Sequence, residues 1–580
     1  MIAWNEWVAF LVLAGLLALA YNRRARAWAN SLRPLRALGG ISLRFTQGWR
    51  YWLLFALALG VGVFVRVWRV PELPRGIFAD GAQSASVAIS LWKDGADRYG
   101  NTYPAFLQVW GAGQMSVLFP WMQAAAFALL GVSRLTILLP MLIVSLIALP
   151  VWWDMARRML GKRFALLALW MLAICPWQIV QSRWAIDCHL MSHFFLFSVY
   201  LLYIGLRRRP FLYLSMIFFG LTMYTYAVSL YIVPVFLLAV CTYLLRARRL
   251  RPWEALACAG AYLATAWPFL LTILINVFGW QTLHIGPVTL QRFESMNRQG
   301  SILFFAEDVW RKFLEQLISL VDVILQQRRD SRFMHGDTRT LYAFSVPALL
   351  AGVYLLWRGH RPARAPLLPS ARRDSYTLLF FWLCVAVLLG LISGLPIWRI
   401  NILFYPLLFG LCVALQRAIR SVRGFAPLVA LLYAMGFIAF FQGYFYDETY
   451  IGSVGSTFRD GYYEAAQHIY TMDCDRYYIY LLEENLEHTE HTEAMIITAH
   501  QITGRQWRGE APVNNPFGDG TEYYADRYVL ENYRDFDPDP MECAAYLVAQ
   551  KNKRLFDPQD YILQDFGLYA TAYPRYWAEE

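Results

Sequence analysis

Charged residues are scarce in this sequence. They make up 16% of its 580 residues, whereas an average soluble domain carries about 25%. Hydrophobic residues reach 58%, and long apolar runs recur between Trp4 and Tyr446. Many of these runs are long enough to cross a bilayer whose hydrocarbon core is about 30 Å thick. The scarcity of charge therefore excludes an ordinary soluble protein and indicates a polytopic membrane protein.

The sequence also lacks the basic soluble surface that a nucleic acid would need. The net charge is +11, but residues 447–580 contain 25 acidic and 10 basic residues, which leaves a net charge of +26 for residues 1–446. The cations of the first part cluster in short segments, at 23–50, 157–163, 207–209, 246–251, 358–373 and 417–423. Short loops rich in Lys and Arg stay cytoplasmic. The basic clusters therefore indicate which loops face the cytoplasm. Because they do not form a basic surface on a soluble domain, we exclude a nucleic-acid partner.

The apolar runs predict about twelve transmembrane helices. They cover approximately residues 4–21, 51–68, 134–153, 164–181, 191–206, 211–227, 228–245, 253–277, 340–357, 374–394, 402–416 and 425–446. If Met1 lies outside, this order places every basic cluster in the cytoplasm. It places five segments outside: the first loop (69–114), the second loop (183–188), the third loop (279–339), the turn at 395–401 and the C-terminal segment (447–580). We interpret the further apolar run at 115–131 as a helix in the membrane interface, or one only partly inserted.

Three parts of the chain follow from these assignments. Residues 1–50 form an extra N-terminal transmembrane helix and a basic loop, and residues 51–446 form the main transmembrane domain. In the third loop, apolar residues between Phe304 and Ile324 recur at helical spacing and predict a surface helix. The acidic residues 447–580 alternate strand-like runs, such as 477–482 and 544–549, with helix-like ones. The fold class is therefore an all-α polytopic membrane protein with a small extracytoplasmic α/β domain.

Cysteine motifs and nucleotide-binding motifs are absent from the sequence. Of the eight cysteines, Cys474 and Cys543 both lie in the C-terminal segment. They could form a disulfide or stay free, and no CxxC spacing decides between these alternatives.

A lone carboxylate follows the second predicted span, in the sequence Phe78-Ala79-Asp80-Gly81-Ala82. Asp80 followed by Gln83 fits a capping box, in which Asp80 would be the N-cap of a helix and Gln83 its third residue. Alternatively, Asp80 is a general base or acid that acts on a lipid-borne substrate. A capping carboxylate can still present its second oxygen to a substrate, so both interpretations stay open.

Polar residues also mark the second loop. Arg183 and Asp187 are four residues apart and share a face at the end of a helix, where they form either a local ion pair or, through Arg183, a contact for an anion. His189 and His193 repeat this spacing, and with Asp187 they make a weak candidate set for a divalent metal. Because His193 falls inside a span and no fourth ligand is evident, we expect no metal and no other cofactor.

The turn at 395–401 contains a further cation, Arg399. It is either an anchor at the membrane interface or a contact for phosphate. The planar guanidinium suits phosphate because it donates two parallel hydrogen bonds. At this depth it would lie at the level of a lipid phosphate group.

Several of these segments together resemble bacterial membrane glycosyltransferases of the GT-C superfamily. The residues that carry the resemblance are Phe78-Ala79-Asp80-Gly81-Ala82, Asp97-Arg98-Tyr99-Gly100-Asn101, the segment 111–114, Ser182-Arg183-Trp184-Ala185-Ile186-Asp187, Tyr224-Thr225-Tyr226, the segment 336–342 and Arg399-Ile400-Asn401. They are similar to the branch of the protein O-mannosyltransferases (glycosyltransferase family 39) and the aminoarabinose lipid A transferase. The resemblance covers about residues 50–470.

The resemblance implies a multi-pass enzyme of the bacterial cell membrane. It would transfer a sugar from a polyprenyl-phosphate donor to an acceptor, which is a protein, a glycan or a lipid, by an inverting displacement at the extracytoplasmic face. On this chain Asp80 would be the catalytic base. Arg183, Asp187, Arg399 and Asn401 would bind the substrate or the lipid phosphate, and the C-terminal segment would govern access of the acceptor without joining the chemical centre.

The sequence departs from that family at Gly81, where many relatives carry a second carboxylate after the aspartate. This departure puts any metal contact by a second carboxylate in doubt. The alternative function is that of a transporter or flippase for a lipid-linked or amphipathic substrate. Transporters carry ionisable residues in mid-membrane and paired halves, whereas the predicted spans here contain little charge apart from Arg66.

Overall fold

The structure, a computed structural model, is mostly helical. It describes residues 6–45, 47–70, 72–109, 113–293, 303, 308–327, 339–361, 370–393, 397–422, 424–480, 489–508, 522–524, 527–531 and 538–578. The chain starts with α1 (Glu6–Tyr21), α2 (Arg23–Ser31), α3 (Arg33–Phe45), α4 (Gly48–Val67) and α5 (Ala79–Asp94). A short hairpin of β1 (Leu107–Val109) and β2 (Gly113–Met115) leads to α6 (Leu118–Leu130).

The central part contains seven consecutive helices. They are α7 (Arg134–Leu160), α8 (Lys162–Ala173), α9 (Pro176–Ser182), α10 (Asp187–Gly205), α11 (Arg209–Thr222), α12 (Ser229–Arg246) and α13 (Pro252–Phe278). A second hairpin, β3 (Leu283–Ile285) and β4 (Val288–Leu290), precedes α14 (Val309–Leu325), α15 (Val346–His360), α16 (Ser370–Ile392), α17 (Phe404–Ser421) and α18 (Phe425–Tyr446).

Eight helices in the described part of the chain are long and apolar enough to cross a membrane. They are α4, α7, α10, α12, α13, α16, α17 and α18, and two bent pairs, α1 with α2 and α8 with α9, raise the number to ten. The other two predicted spans coincide with α11, which has 14 residues, and α15, which has 15. Each predicted span thus contains a helix, the protein is a multi-pass membrane protein, and the figure of twelve spans stays a prediction.

The break between α8 and α9 explains the buried charge of Arg66. Pro176 at the start of α9 cannot donate a backbone hydrogen bond, so α8 ends before it. The chain bends there by 58° and the last carbonyl groups of α8 are left without helical partners. The Arg66 guanidinium, fully buried, donates to the carbonyls of Leu172 (2.9 Å) and Ala173 (3.1 Å), and to the side chain of Gln178. Arg66 therefore stabilises a broken helix.

Two predicted surface helices have counterparts in the structure. The run at 115–131 forms the 13-residue helix α6, packed between α5 and α7. In the third loop α14 starts at Val309, because the carboxylate of Asp308 accepts a hydrogen bond from the Arg311 amide at 3.0 Å. Of the predicted surface helix, residues 304–307 lie outside the described residues.

The C-terminal segment combines helices with one sheet. Its elements are α19 (Glu448–Phe458), α20 (Tyr462–Tyr470), β5 (Arg476–Tyr480), α21 (Thr489–His500), α22 (Gly504–Arg508), β6 (Glu522–Tyr524), β7 (Tyr528–Glu531), β8 (Ala544–Ala549), β9 (Tyr561–Phe566), β10 (Tyr569–Pro574) and α23 (Arg575–Ala578). The strand order is β6-β7-β5-β8-β10-β9, with β5 parallel to β7 and β8. The predicted α/β fold of this segment is confirmed, and the two predicted strands correspond to β5 and β8.

Cys474 and Cys543 lie next to each other, just before β5 and β8. Their thiols are joined by a hydrogen bond and do not form a disulfide.

Candidate functional site

Asp80 lies in the first turn of α5. This helix begins at Ala79 with Phe78 as its N-cap, so the capping-box interpretation, with Asp80 as the N-cap, is wrong. The side chain of Gln83 does not complete a box either, because neither of its buried amide atoms has a hydrogen-bond partner among the described residues. A negative charge in the first turn of a helix is favourable. The half-buried carboxylate of Asp80 therefore has a stable place without being needed as a cap.

Gly81 allows the start of α5 to touch the second loop. A Cβ atom at this position would lie 2.8 Å from the carbonyl oxygen of Ala185, closer than side-chain carbons normally approach a backbone atom. A glutamate at position 81 would therefore separate the two segments. The close contact explains why this chain has glycine where many relatives have a second carboxylate. Glycine at position 81 also brings Asp80 close to the loop that contains Asp187.

Three of the predicted site residues lie near the thiol of Cys188. Asp80, Asp187 and Arg399 are all near enough for their charges to act on this thiol. Asp187 is buried in the first turn of α10, whereas Asp80 and Arg399 are partly exposed. Three segments far apart in sequence thus bring two carboxylates and one guanidinium together.

Asn401 ties the start of α17 to the start of α10. It is fully buried, and its Nδ2 donates to the carbonyl of Cys188 at 3.1 Å. Its Oδ1 has no hydrogen-bond partner in the part of the chain that the structure describes. Asn401 thereby fixes the short turn that contains Arg399 against the helix that contains Asp187.

Arg183 is placed differently from Arg399. It is buried, and its guanidinium donates to the carbonyls of Arg66 (3.0 Å), Arg69 (3.1 Å) and Leu73 (2.9 Å). Its face packs on the ring of Phe445, 5.1 Å from the ring centre. These contacts hold the end of α4 and the beginning of the first loop. Arg183 thus supports the loop that leads to Asp80, and a further hydrogen bond joins its side chain to that of Tyr444.

Aromatic rings join the segments around this cluster. The indole of Trp184 lies 5.0 Å from the ring of Phe78, 5.7 Å from Trp398 and 5.3 Å from Phe458, measured between ring centres. These rings belong to the first loop, the second loop, the turn before Arg399 and α19 of the C-terminal segment. Trp184 is thus the packing centre of the site.

The two histidines of α10 belong to a buried polar network. The Nδ1 of His193 lies 3.0 Å from the His189 carbonyl and 3.2 Å from the Nε2 of Gln181, and its other nitrogen lies near Gln178. Among the described residues there is no group of three or more His, Cys, Asp or Glu side chains placed to hold a metal ion. That the reaction needs no metal stays a prediction.

Three residues that matter to the site were not predicted as site residues. Cys188 ends the second loop, and a single cysteine without a partner at a recognisable spacing gives no signal of a site. Trp184 belongs to the second-loop motif, yet an aromatic residue beside a membrane is too common to indicate a packing centre. Phe458 lies in a different predicted domain. For these three residues the sequence offers one signal, which is that Trp184 lies only three positions before the predicted site residue Asp187.

Comparison with known proteins connects this site to a family. Residues 114–275 match the family model described as dolichyl-phosphate-mannose-protein mannosyltransferase. This match covers less than a third of the chain, and it supports the resemblance to membrane glycosyltransferases of the GT-C superfamily. The matched region runs from β2 into α13 and includes Arg183 and Asp187, whereas Asp80, Arg399 and Asn401 lie outside it. No curated protein sequence matches the chain.

Solved structures provide similar folds at low identity. ArnT from Cupriavidus metallidurans bound to undecaprenyl phosphate is 14% identical, with a TM-score of 0.48 over 90% of this chain and 97% of ArnT. The oligosaccharyltransferase AglB from Archaeoglobus fulgidus, in complex with an inhibitory peptide and a dolichol-phosphate, is 12% identical, with a TM-score of 0.43 over 88% of this chain and 70% of AglB. At these values the likeness does not by itself assign a role to any residue.

Proposed function

We propose that this glycosyltransferase moves a sugar from a polyprenyl-phosphate donor to an acceptor by an inverting displacement at the extracytoplasmic face of the bacterial cell membrane. The observation that carries the proposal is that Asp80, Asp187 and Arg399 all lie near enough to Cys188 for their charges to act on its thiol. This group combines a partly exposed carboxylate with a partly exposed guanidinium, which are a base for an acceptor and a cation for a phosphate. The family description, which names a dolichyl-phosphate sugar, supports a lipid-linked donor.

In this mechanism Asp80 acts on the acceptor. An acceptor oxygen attacks the anomeric carbon from the side opposite the phosphate, and its proton passes to the Asp80 carboxylate. The bond between the anomeric carbon and the phosphate oxygen breaks, and its electron pair stays on that oxygen. A general base within hydrogen-bond reach of the nucleophile typically contributes about 10²–10⁴-fold to the rate.

Arg399 acts on the leaving group. Negative charge grows on the polyprenyl phosphate as the sugar departs, and a fixed guanidinium stabilises that charge through paired hydrogen bonds. We assign the main phosphate contact to Arg399 because Arg183 is occupied by three carbonyl groups. Arg183 contributes by holding the first loop that leads to Asp80.

Asp187 and Asn401 complete the substrate contacts. A carboxylate repels phosphate, so we assign Asp187 to hydroxyl groups of the sugar, which can donate hydrogen bonds to it. Asn401 positions Arg399 through its bond to the Cys188 carbonyl and keeps one amide oxygen for a donor group of the substrate. These assignments give each predicted residue a distinct partner in a single site.

The charge distribution supports the orientation. Basic loops lie on one side of the predicted spans, and the acidic C-terminal segment lies with the site on the other. Its net charge of −15 favours neutral or basic acceptors over anionic ones, at distances up to about 8 Å in physiological salt. The acceptor is a protein, a glycan or a lipid that meets this condition.

The test is an assay of the purified, folded protein with a panel of polyprenyl-phosphate sugars and candidate acceptors. We expect at least one donor to release polyprenyl phosphate in an acceptor-dependent manner. Absence of release from every donor in the panel would contradict the proposal. We also expect dialysis against EDTA to leave the rate unchanged, since we propose no cofactor, and a loss that added divalent metal restores would contradict that part.

A further inference from the structure

Helix α5, which starts beside the site, is buried on all its faces. Every residue from Gly81 to Leu91 is buried, although the sequence places this helix in a loop. On one face the hydroxyl of Ser84 bonds to the side chain of Gln123 in α6. On the opposite face, Ala82 meets α21 of the C-terminal segment. The helix that carries Asp80 is thus enclosed between α6 and a helix more than 400 residues further along the chain.

Hydrogen bonds connect α5 to α21 and its following turn at three levels. Near the start of α5, the hydroxyl of Thr498 lies 3.2 Å from the Ala82 carbonyl and 2.7 Å from the Ala494 carbonyl of its own helix, and it shares its one proton between them. Further along, the Gly504 amide donates to the Ser90 hydroxyl at 2.8 Å, and the Lys93 ammonium donates to the Gln501 carbonyl at 2.6 Å. These bonds run along the whole helix, and the first of them lies two residues from Asp80.

An almost buried ion pair extends this contact beyond the end of α5. The Arg98 guanidinium lies 3.0 Å from the carboxylate of Glu493, and the two side chains are only 11% and 6% exposed. Asp97 shapes the turn that presents Arg98, because its carboxylate accepts hydrogen bonds from the amides of Tyr99 and Asn101, both at 2.9 Å. Removing one partner of a buried pair leaves the other charge uncompensated, which is strongly destabilising locally.

The backbone approaches closely at the same place. A Cβ atom on Gly504 would lie 2.3 Å from the Cβ of Arg98. Only glycine allows the turn after α21 to pack so tightly on the turn after α5. The contact between the two segments is therefore a fitted interface.

The other face of α21 is anchored in the C-terminal segment. The ring of His500 bonds through Nδ1 to the hydroxyl of Tyr528 in β7 and through Nε2 to the Ala466 carbonyl in α20, both at 2.7 Å. Thr498 and His500 are about 200° apart around a helix of 3.6 residues per turn, so they point to opposite sides. Helix α21 is a rigid connection between the sheet and α5.

We propose that the C-terminal segment positions the catalytic base, with Glu493, Thr498 and Arg98 as positioning residues. The inference rests on the proposed function and changes the predicted division of labour, in which this segment governed only the access of the acceptor. A displacement of about 1 Å at a reacting group can lower a rate about 10²-fold. Fixing α5 from both sides keeps the Asp80 carboxylate at one distance from the acceptor oxygen.

The experiment compares Glu493→Gln and Thr498→Val with the wild type in the full-length protein. Both substitutions keep the shape of the side chain. The first removes the negative charge that pairs with Arg98, and the second removes the hydroxyl that contacts α5. We expect amide hydrogen exchange in a peptide covering 79–94 to become about tenfold faster. We also expect kcat to fall about tenfold while KM for the donor stays within about twofold, because the phosphate contact at Arg399 is unaffected.

Two further variants separate positioning from general stability. The exchanged pair Arg98→Glu with Glu493→Arg should recover most of the exchange protection and of kcat. Glu542→Gln removes a carboxylate bonded to Tyr478 elsewhere in the same segment and should leave α5 and kcat unchanged. Equal loss in Glu542→Gln would show a general effect of stability and would overturn the proposal.

Hydrogen exchange also distinguishes this inference from the proposed function. Unchanged exchange of the 79–94 peptide in Glu493→Gln and Thr498→Val would overturn the positioning role, whatever the protein transfers. Faster exchange with an unchanged kcat would overturn it as well. If the wild type transferred no sugar, the proposed function would fail, and the exchange data would still report whether α21 holds α5.

Discussion

The two ends of helix α5 differ in what they contact and in how they could be recognised. At its start, Asp80 is partly exposed and lies near Cys188, as do Asp187 and Arg399. At its far end, Lys93 and the following Arg98 are bonded to Gln501 and Glu493 of the C-terminal segment. We call the partly exposed start the open end and the bonded far end the fixed end. The difference indicates that the reactive end depends on support that is supplied elsewhere.

The largest expected effect is at the open end. Asp80→Asn keeps the size of the side chain and removes the base, so we expect turnover to fall at least about 100-fold. The loss of one charge in the first turn of α5 costs about 0.3–1 kcal/mol of stability, so the melting temperature should change little. Turnover of the purified variant close to that of the wild type would remove Asp80 from the mechanism.

A comparison of Arg399 with Arg183 extends the contrast between open and fixed residues. Arg399→Ala should weaken binding of polyprenyl phosphate about tenfold or more, and Arg399→Lys should be intermediate because lysine keeps the charge but loses the paired hydrogen bonds. Arg183→Lys should instead lower the melting temperature, since an ammonium cannot reach the three carbonyls that the guanidinium holds.

Binding isotherms and thermal unfolding of the same preparations measure both effects. The reverse pattern, with stability lost at Arg399 and donor affinity lost only at Arg183, would exchange the roles of the two arginines.

Gly81 tests the contact between the open end and the second loop. The added methyl group of Gly81→Ala would meet the Ala185 carbonyl, so α5 must move away from Asp187. We expect turnover to fall about tenfold or less. Gly452→Ala in α19 is the matched control, because nothing lies within 4 Å of its added carbon. Equal turnover in the two variants would show that this close approach does not matter for activity.

The last expected effect concerns the C-terminal segment, which supports the fixed end, and it appears only below neutral pH. Burial lowers the pKa of His500 from 6.5 to about 4 in the folded protein. His500 therefore binds a proton at a higher pH in the unfolded chain than in the folded chain. The contribution of neutral His500 to the free energy of unfolding is fully present above pH 6.5 and is lost as the pH falls towards 4. The loss from this group is about 3 kcal/mol at most. The pKa of His468 is also lowered by burial, and protonation of this residue acts in the same direction.

Hydrogen exchange of the C-terminal segment at pH 7 and pH 4.5 measures this effect. His500→Gln does not titrate and should show a smaller difference between the two pH values. An equal difference in the variant and the wild type would assign the pH dependence to other groups.

The sequence predicted much of the membrane part, because apolar runs and basic clusters are local signals that a bilayer imposes. Every predicted span contains a helix, and the strands at 476–480 and 544–549 coincide with predicted ones. Asp80, Asp187 and Arg399 were predicted as site residues for the same reason, as polar residues beside apolar runs. Their proximity to one another required the structure.

Other features depend on contacts that no local pattern contains. The N-cap of α5 is Phe78, which makes no side-chain hydrogen bond to the helix. The spacing of Asp80 and Gln83 matches a capping box, but the prediction of Asp80 as the N-cap was wrong. The carbonyl groups that Arg183 binds belong to residues 66–73, more than 100 positions earlier in the chain. No local pattern shows these partners, so from the sequence Arg183 was a candidate contact for an anion. Glu493 is 395 positions from Arg98 in the sequence. It is one of 25 acidic residues in the C-terminal segment, and the net charge of that segment predicts only which acceptors it repels or attracts.

The most direct test of the account is the configuration at the anomeric carbon of the first transferred sugar. The proton NMR spectrum of the product, formed by purified protein from a donor of known configuration, gives this directly. A single displacement with Asp80 as the base predicts inversion. Retention would contradict it, since two successive displacements would make an enzyme side chain the nucleophile that bonds to the sugar.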